Sequence, residues 1–451
     1  MEKMIINPQA PAAKTFQPAR VITLELSDPL PRITQYDPRR GNDYARAIII
    51  VRLHRRPVGI IQVGIPEGGL ESEALAGQIW TILSGQINDH LRQDNLPLIQ
   101  ILTRDGLRPV QNPACEQECS SPDELPLVSV IIATRDRAAS LEVALDSIFE
   151  MDYPNFEVLV VDNAPKTEAT LDLIEDRYAG LVSYIREERP GLSVAHNAAL
   201  KKARGEIVAF TDDDVIVDRD WLKRLVNAFY CTDRVACVTG MILSAEIETP
   251  AQAIFEEYGG FSKGYTRKVF DLQENRPDNP LFPYAAGRYG SGANMSFKAD
   301  FLKEIGGFDP ATGTGTPALG GDDLAAFFEV ISRGYRLIYE PAAIIFHHHH
   351  RDYRKLRMQT FGYGAGLTAF ITKTIVDKPT RVFDVARRIP SGILYILSPH
   401  SYKNVHKSEK YPKELNRLEY RGMLYGPIAY LRSRWQSRKY HEAFEKAEVE
   451  R

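Results

Sequence analysis

The chain has 451 residues, 44% of them hydrophobic and 25% charged, which excludes a disordered polypeptide and leaves room for two or three domains. Its formal net charge of −3 argues against nucleic acid as a partner, and its four cysteines are too few for a disulfide scaffold, so a reducing, cytoplasmic setting is expected. MEKMIINPQAPAAKTF lacks the apolar segment of a secretory leader, and no window has the uninterrupted apolar length of a membrane span.

Residues 1–43, rich in Pro and Arg, read as a flexible tail. Residues 44–110 read as a small α+β domain: ARAIIIVRL and VGIIQVGI are strands joined by the turn HRRP, and ESEALAGQIWTILSGQINDHLRQ has helical spacing. Residues 111–126 read as a linker. Its Cys115 and Cys119 have no second Cys or His pair nearby in sequence, so linker cysteines are expected rather than metal ligands. From Leu127 the rhythm becomes βαβαβαβ. VSVIIAT, FEVLVVD, VSYIREE and GEIVAF are strands, with helical patterns such as ASLEVALDSIFE between them. Such alternation predicts an α/β domain with a mostly parallel central sheet, spanning 127–350. Residues 351–451 read as a helical, basic C-terminal region.

Ligands of parallel sheets bind beyond the carboxyl ends of the strands. Polar clusters fall there three times: Thr134-Arg135-Asp136, Asp162-Asn163, and Thr211 followed by Asp212, Asp213 and Asp214. Any one of these could be a helix cap or a turn, but three at one edge point to a binding site. No Lys or Arg lies within the aspartate triplet, so a divalent cation is its natural partner, and hard oxygen ligands suit Mg²⁺ or Mn²⁺. In an extended stretch Asp212 and Asp214 share a side. Asp214 is expected to bind the metal directly. Asp212 is expected to act through water or on a sugar hydroxyl, and Asp213 points away.

With VSVIIATRDR, VVDNAP, ERPGLSVAHNAAL, FTDDDV, GSGANMSFK, GGFDP and GGDDLAAFFEVISRGYRL in this order, residues 127–350 resemble a family 2 glycosyltransferase of the GT-A fold. The resemblance implies that Thr134 and Arg135 border the nucleotide, that Asp162 reads the base with Asn163 beside it, and that Gly191 and Asn197 shape the turn and helix that follow. It further implies that Asp212, Asp213 and Asp214 serve the metal and sugar diphosphate, and that Gly292, Ala293 and Asn294 line the donor-sugar side. Asp323 matches the catalytic base, with Asp322 in place of the usual Glu. His196 stands where the family often has Arg. Inverting transfer needs one carboxylate to take the acceptor proton and a cation to neutralise the departing diphosphate.

The run IIFHHHHRDYRKLR is internal, since 101 residues follow His350. Alternation puts His348 and His350 on one face of the strand end and His347 and His349 on the other. The family's His-x-His-Arg maps to His348, His350 and Arg351, which makes His348 and His350 the expected metal ligands. Between Ser401 and Tyr440 there are ten Lys/Arg against three Asp/Glu, with aromatics interleaved, so peripheral contact with the inner face of the cell membrane is an expectation. Processive synthases of the family carry Q-x-x-R-W and membrane spans, and neither is found here, so one sugar per binding event is expected. The partners implied are a nucleotide-diphosphate sugar and a glycan or lipid-linked acceptor, in polysaccharide or envelope-glycan synthesis. A nucleotidyltransferase or a silent nucleotide-sugar-binding module are the alternatives. The former would carry a Gly-rich phosphate loop that ATRDRAAS lacks, and the latter would have lost its aspartates.

Overall fold

The computed structural model describes residues 16–449 except 109, 111, 112, 118–123, 258, 259, 262, 402, 406 and 408–410, and leaves out the side chains of 116, 117 and 440–449. Cys119 therefore lies outside the described residues. The N-terminal unit is built from β1 (Arg20–Glu25), a short pair β2 (Tyr36–Asp37) and β3 (Asn42–Asp43), β4 (Arg46–Leu53), β5 (Arg56–Gly64) and α1 (Ser72–Gln93). β4 and β5 are antiparallel, and β1 adds in parallel beside β4. The tail expected over 1–43 is thus shorter than its composition suggests: RVITLE pairs residue for residue with Ala47–Arg52 and belongs to the domain. The β4–β5 turn has positive φ at His54 and Arg55, the geometry that joins twisted strands tightly. On α1, Leu75, Ile79, Leu83, Ile87 and Leu91 recur at helical spacing and are buried against the sheet. A short helix, α2 (Ala114–Gln117), follows.

The second unit alternates β6 (Val128–Thr134), α3 (Ala138–Phe149), β7 (Phe156–Asn163), α4 (Ala169–Arg177), β8 (Val182–Glu187), α5 (Leu192–Leu200) and β9 (Ile207–Asp212). It continues through β10 (Val215–Val217), α6 (Trp221–Ala228), β11 (Val235–Ser244), α7 (Pro250–Glu257), β12 (Lys268–Phe270), β13 (Asn294–Lys298), α8 (Ala299–Ile305), α9 (Asp322–Ser332) and β14 (Arg336–His347). The strand order is β10-β14-β11-β13-β9-β6-β7-β8, with β12 on β14. β9, β6, β7 and β8 run parallel, as the βα rhythm predicts, while β13 is antiparallel to both neighbours and makes the sheet mixed. Alternation sends Ile131, Leu159, Val161 and Phe210 into one core with α5 and α9, and Val130, Ile132, Val160 and Ala209 into the other with α3 and α6.

The C-terminal region is helical as expected: α10 (Tyr353–Asp377), α11 (Arg381–Leu397) and α12 (Lys413–Val449). α10 and α12 meet at glycines. A Cβ on Gly364 would lie 2.0 Å from the Glu419 carbonyl oxygen, and one on Gly422 would lie 2.1 Å from that of Phe361. Among the described residues no helix is long and apolar enough to cross a membrane.

The N-terminal unit is fastened to the large sheet by buried charge. Glu340 of β14, 1% exposed, accepts from Arg56 Nη1 at 3.2 Å, Arg267 Nε at 2.6 Å and the Ala342 amide at 3.0 Å. Burial opposes its charge, but the two guanidiniums outweigh burial and hold its carboxyl below the ordinary value. A depressed carboxylate stabilises the fold above its unfolded pKa and loses that contribution as pH falls through the folded one. Glu340→Ala is expected to cost about 3 kcal/mol, since removing one member of a buried ion pair strands charge. Urea unfolding at neutral pH measures it, and a loss within about 0.5 kcal/mol would show the cluster to be replaceable.

Candidate active site

Register brings the predicted polar ends together. Thr134 pairs with Asp162 across β6–β7, and Ala133 pairs with Asp212 across β6–β9, so the three clusters share one edge. After the triplet the chain returns as β10, antiparallel to β14, with Val215 opposite His347. The His348 amide donates to the Asp214 carbonyl at 2.9 Å. These pairings set His347 Nε2 3.2 Å from Asp214 Oδ1 and 3.6 Å from Asp212 Oδ2. Ligand atoms of Asp212, Asp214 and His347 lie within 4.8 Å of one another. Burial works against charge on His347, yet the two carboxylates outweigh it and hold the imidazole above its usual value. Its other ring nitrogen is buried with no hydrogen-bond partner. Two hard oxygens and an imidazole are a donor set that fits a divalent cation.

The histidine in this cluster is His347, where His348 was expected. The faces alternate as foreseen, and His347 and His349 stack at 5.1 Å, but the antiparallel β10–β14 pairing turns the His347 face toward the aspartates. His348 faces Glu246, with Nδ1 3.7 Å from its Oε2, and Arg351 binds the same carboxylate at 2.6 Å. His350 lines the cleft outside the ligand cluster, and burial holds its pKa below the ordinary value.

A cation does lie at the triplet, from outside it. Arg137, at the start of α3, donates Nη1 to Asp213 Oδ1 at 2.8 Å and to Asp214 Oδ2 at 3.0 Å. Asp213 also accepts from Thr134 Oγ1 at 2.7 Å. Asp213 is therefore a buried brace beneath the edge, where burial raises its pKa to about 6 against the pull of Arg137. Thr134 holds it, while Arg135 stands at the cleft wall.

Asp162 is fully buried at the end of β7. Tyr184 donates its hydroxyl to Oδ2 at 3.1 Å, and Oδ1 has no partner. Asn163 braces the loop before α5, accepting from the Gly191 amide at 2.9 Å and donating to the Arg189 carbonyl at 2.7 Å. Asn197, expected to shape the turn and helix, and Asn294, expected on the donor-sugar side, both bind backbone groups. Asn197 clamps the Phe308 backbone through both side-chain atoms, at 2.7 and 2.8 Å. Asn294, fully buried, accepts from Trp221 Nε1 at 2.8 Å and donates to the Met241 and Ala343 carbonyls, tying β13 to its neighbours. His196 is core as well: it packs 4.7 Å from the Phe210 ring and 5.1 Å from the Phe308 ring, and desolvation lowers its pKa to about 3. Burial among these rings places it in the core and not in the cleft wall.

Across the cleft, Asp322 and Asp323 open α9. Asp323 accepts from the Gly292 amide at 3.0 Å and from the Leu324 amide at 2.8 Å. Burial, with the neighbouring charge of Asp212, pushes the Asp323 carboxyl up despite those donors, and Asp322 is raised by burial and by Asp323. Lys263 faces Asp323, and burial lowers its ammonium to about 8. The triplet, His347, the Gly292–Ala293 segment and the Asp322–Asp323 pair all line one cavity of about 2510 Å³ that extends under α10 and α11.

Residues 129–299 match the family model for glycosyl transferase family 2. The pre-mycofactocin glycosyltransferase of Mycobacterium tuberculosis is 26% identical over 238 residues, 52% of this chain and 46% of that protein. The glucosyl-dolichyl phosphate glucuronosyltransferase of Haloferax volcanii is 24% identical over 195 residues, 41% of this chain and 57% of that protein. The chain thus spans about half the length of the curated relatives it matches. Among solved structures, the Pyrobaculum calidifontis mannosyltransferase in complex with GDP-Man and Mn²⁺ aligns with a TM-score of 0.43 at 21% identity, covering 70% of this chain and 92% of that one.

Proposed function

This chain is a member of glycosyl transferase family 2, and from that premise we propose that it moves one sugar, with inversion, from a nucleotide-diphosphate donor to a glycan or lipid-linked acceptor. The observation that carries the reading is the opposition, across one cavity, of the Asp212–Asp214–His347 cluster and the Asp322–Asp323 pair. Asp323 is the base. Its Oδ2 is aimed by the Gly292 amide, and its raised pKa matches it to the proton of an acceptor hydroxyl. The N-terminal end of α9 favours the carboxylate once the proton is passed on. Asp212, Asp214 and His347 would hold a divalent cation, which supplies Lewis-acid neutralisation of the departing diphosphate. Thr134 and Arg137 keep Asp213 and Asp214 in place beneath it. Asp162 closes β7 beside Asn163, which lines the cavity, and the reading of the base falls to this end of the strand.

The cavity exceeds what one nucleotide sugar fills, so it has room for an acceptor. Its far wall, with Leu281, Ile371, Tyr395, Ile396 and Met423, is apolar, which favours an acceptor carrying a lipid. α11 buries none of its residues and exposes Phe383 and Leu394, as a helix resting on a membrane surface would. The Haloferax relative, by its name, works on a dolichyl phosphate-linked sugar, in keeping with that acceptor class.

Thermal unfolding against a panel of nucleotide sugars, with Mn²⁺ and with EDTA, tests the reading. Stabilisation by one nucleotide family, dependent on metal and reaching about 2.7 kcal/mol at 100 times Kd, is expected. No shift with any donor sinks the transferase reading.

A further inference from the structure

A second cluster of ligand atoms lies in the N-terminal unit, apart from the cleft. His54 comes from the β4–β5 turn, His90 and Asp94 from the last turn and C-terminal cap of α1, and Cys115 from α2. One ligand atom from each lies within 4.8 Å of all the others. Asp94 Oδ2 is 2.6 Å from His54 Nδ1 and 3.2 Å from His90 Nε2. The two ring nitrogens are 3.3 Å apart, and Cys115 Sγ is 3.8 Å from His54 Nδ1. The side chains of His54, Asp94 and His90 are 5%, 0% and 10% exposed, and the Cys115 thiol is buried.

The convergence joins four atoms of metal-ligating type: two imidazole nitrogens, a carboxylate oxygen and a thiol sulfur, with the other three all within 3.8 Å of His54 Nδ1. The same Asp94 oxygen can accept from both imidazoles, so the cluster is held together by hydrogen bonds as well. Tetrahedral zinc, with bonds of about 2.0–2.1 Å to N and O and about 2.3 Å to S, spaces neighbouring ligand atoms roughly 3.3–3.6 Å apart. The separations of 3.2, 3.3 and 3.8 Å lie close to that spacing, and the 2.6 Å between Asp94 and His54 is a hydrogen bond that would open as the ion enters. The carboxylate is also oriented for the role: Asp94 Oδ1 accepts from the Cys115 amide at 2.6 Å, which leaves Oδ2 turned inward.

We propose that His54, His90, Asp94 and Cys115 form a closed tetrahedral Zn²⁺ site that fastens the inter-domain segment to the N-terminal unit. Four protein ligands leave no open position, which marks the site as structural rather than catalytic. Its place gives it leverage on the rest of the molecule. Arg56, two residues from His54, donates to the Cys115 carbonyl at 2.6 Å and to Glu340 of the large sheet at 3.2 Å. The metal would therefore lock α2 against the same arginine that joins the two units. Cys115 was read from sequence as a plain linker residue because its partners lie 61 positions away at His54 and 21 at Asp94.

The test uses the full chain with zinc and cobalt as probes. As purified, the protein is expected to keep about one Zn²⁺ per chain through gel filtration, and Cys115→Ser to keep almost none. Replacement by Co²⁺ should give intense tetrahedral visible bands and a thiolate-to-cobalt charge-transfer band, which a cation held by Asp212, Asp214 and His347 cannot produce. If Cys115→Ser does not fold, His90→Gln serves, with Co²⁺ affinity expected to fall by at least tenfold, on the order of what lost metal-site groups cost. A wild-type protein without the thiolate band, or a band that survives Cys115→Ser, overturns the site.

Discussion

Asp323→Asn is expected to leave metal-dependent donor binding intact and to lower turnover by about 10³-fold, within the range that a positioned general base contributes. The substitution keeps the size of the side chain and one of the two acceptors that the Gly292 and Leu324 amides use, and it removes the capacity to take a proton. KM for the donor should hardly move, because the loss falls on a step made only in the transition state. The pH profile adds an independent readout. Burial and the Asp212 charge raise the Asp323 carboxyl, so it is protonated and inactive over a range where an ordinary aspartate would be free. The acid limb of kcat should therefore lie above the ordinary carboxylate range, and it should vanish with the residual activity of the variant. Near-normal turnover in Asp323→Asn would move the base to Asp322, whose carboxyl is buried beside it.

How much of this site could be read from the sequence depended on how far each contact reaches. Elements with local causes were legible: β6, β7 and β9 follow from β-branched runs, and the polar residues closing them fall on one edge because parallel strands end in register. Asp212 and Asp214 share a ligand atom cluster, but the stretch is not extended throughout: Asp213 and Asp214 form the turn between β9 and β10, and that turn brings the two carboxylates together. What failed needed a pairing between distant segments. His347 against His348 is settled by β10 lying antiparallel to β14, which no local pattern encodes. Arg137 escaped notice because it sits outside the acidic stretch and reaches it only through the β6–β9 pairing. Asn294 has the residue type of a ligand contact, but it donates to the backbone carbonyls of Met241 and Ala343. A buried amide that satisfies backbone groups looks the same in sequence as one that awaits a sugar. β1 was lost to its Pro- and Arg-rich surroundings, although RVITLE itself alternates well enough to pair.

Asp214→Asn is the companion prediction, and it separates the cation cluster from the base. The side chain touches His347 at 3.2 Å through one oxygen and Arg137 at 3.0 Å through the other. Replacing it with an amide removes one of two carboxylates facing a divalent cation, so the apparent Mn²⁺ affinity should fall by more than about 100-fold, beyond the loss typical of second-shell changes. Donor stabilisation by Mn²⁺ should go with it, and added metal should recover turnover only in part. Arg137 keeps Asp213 as a partner, so the fold should survive, and unfolding measured without metal serves as the control. Two histidine variants then locate the third ligand. His347→Ala is expected to weaken Mn²⁺ binding as well. His348→Ala should leave it unchanged, because that ring faces Glu246 and not the aspartates. Titration of free Mn²⁺ by electron paramagnetic resonance reads all three affinities directly. Should His348→Ala lose the metal while His347→Ala retains it, the β10–β14 register that turns His347 toward Asp214 would not be the one the protein uses when the cation is bound.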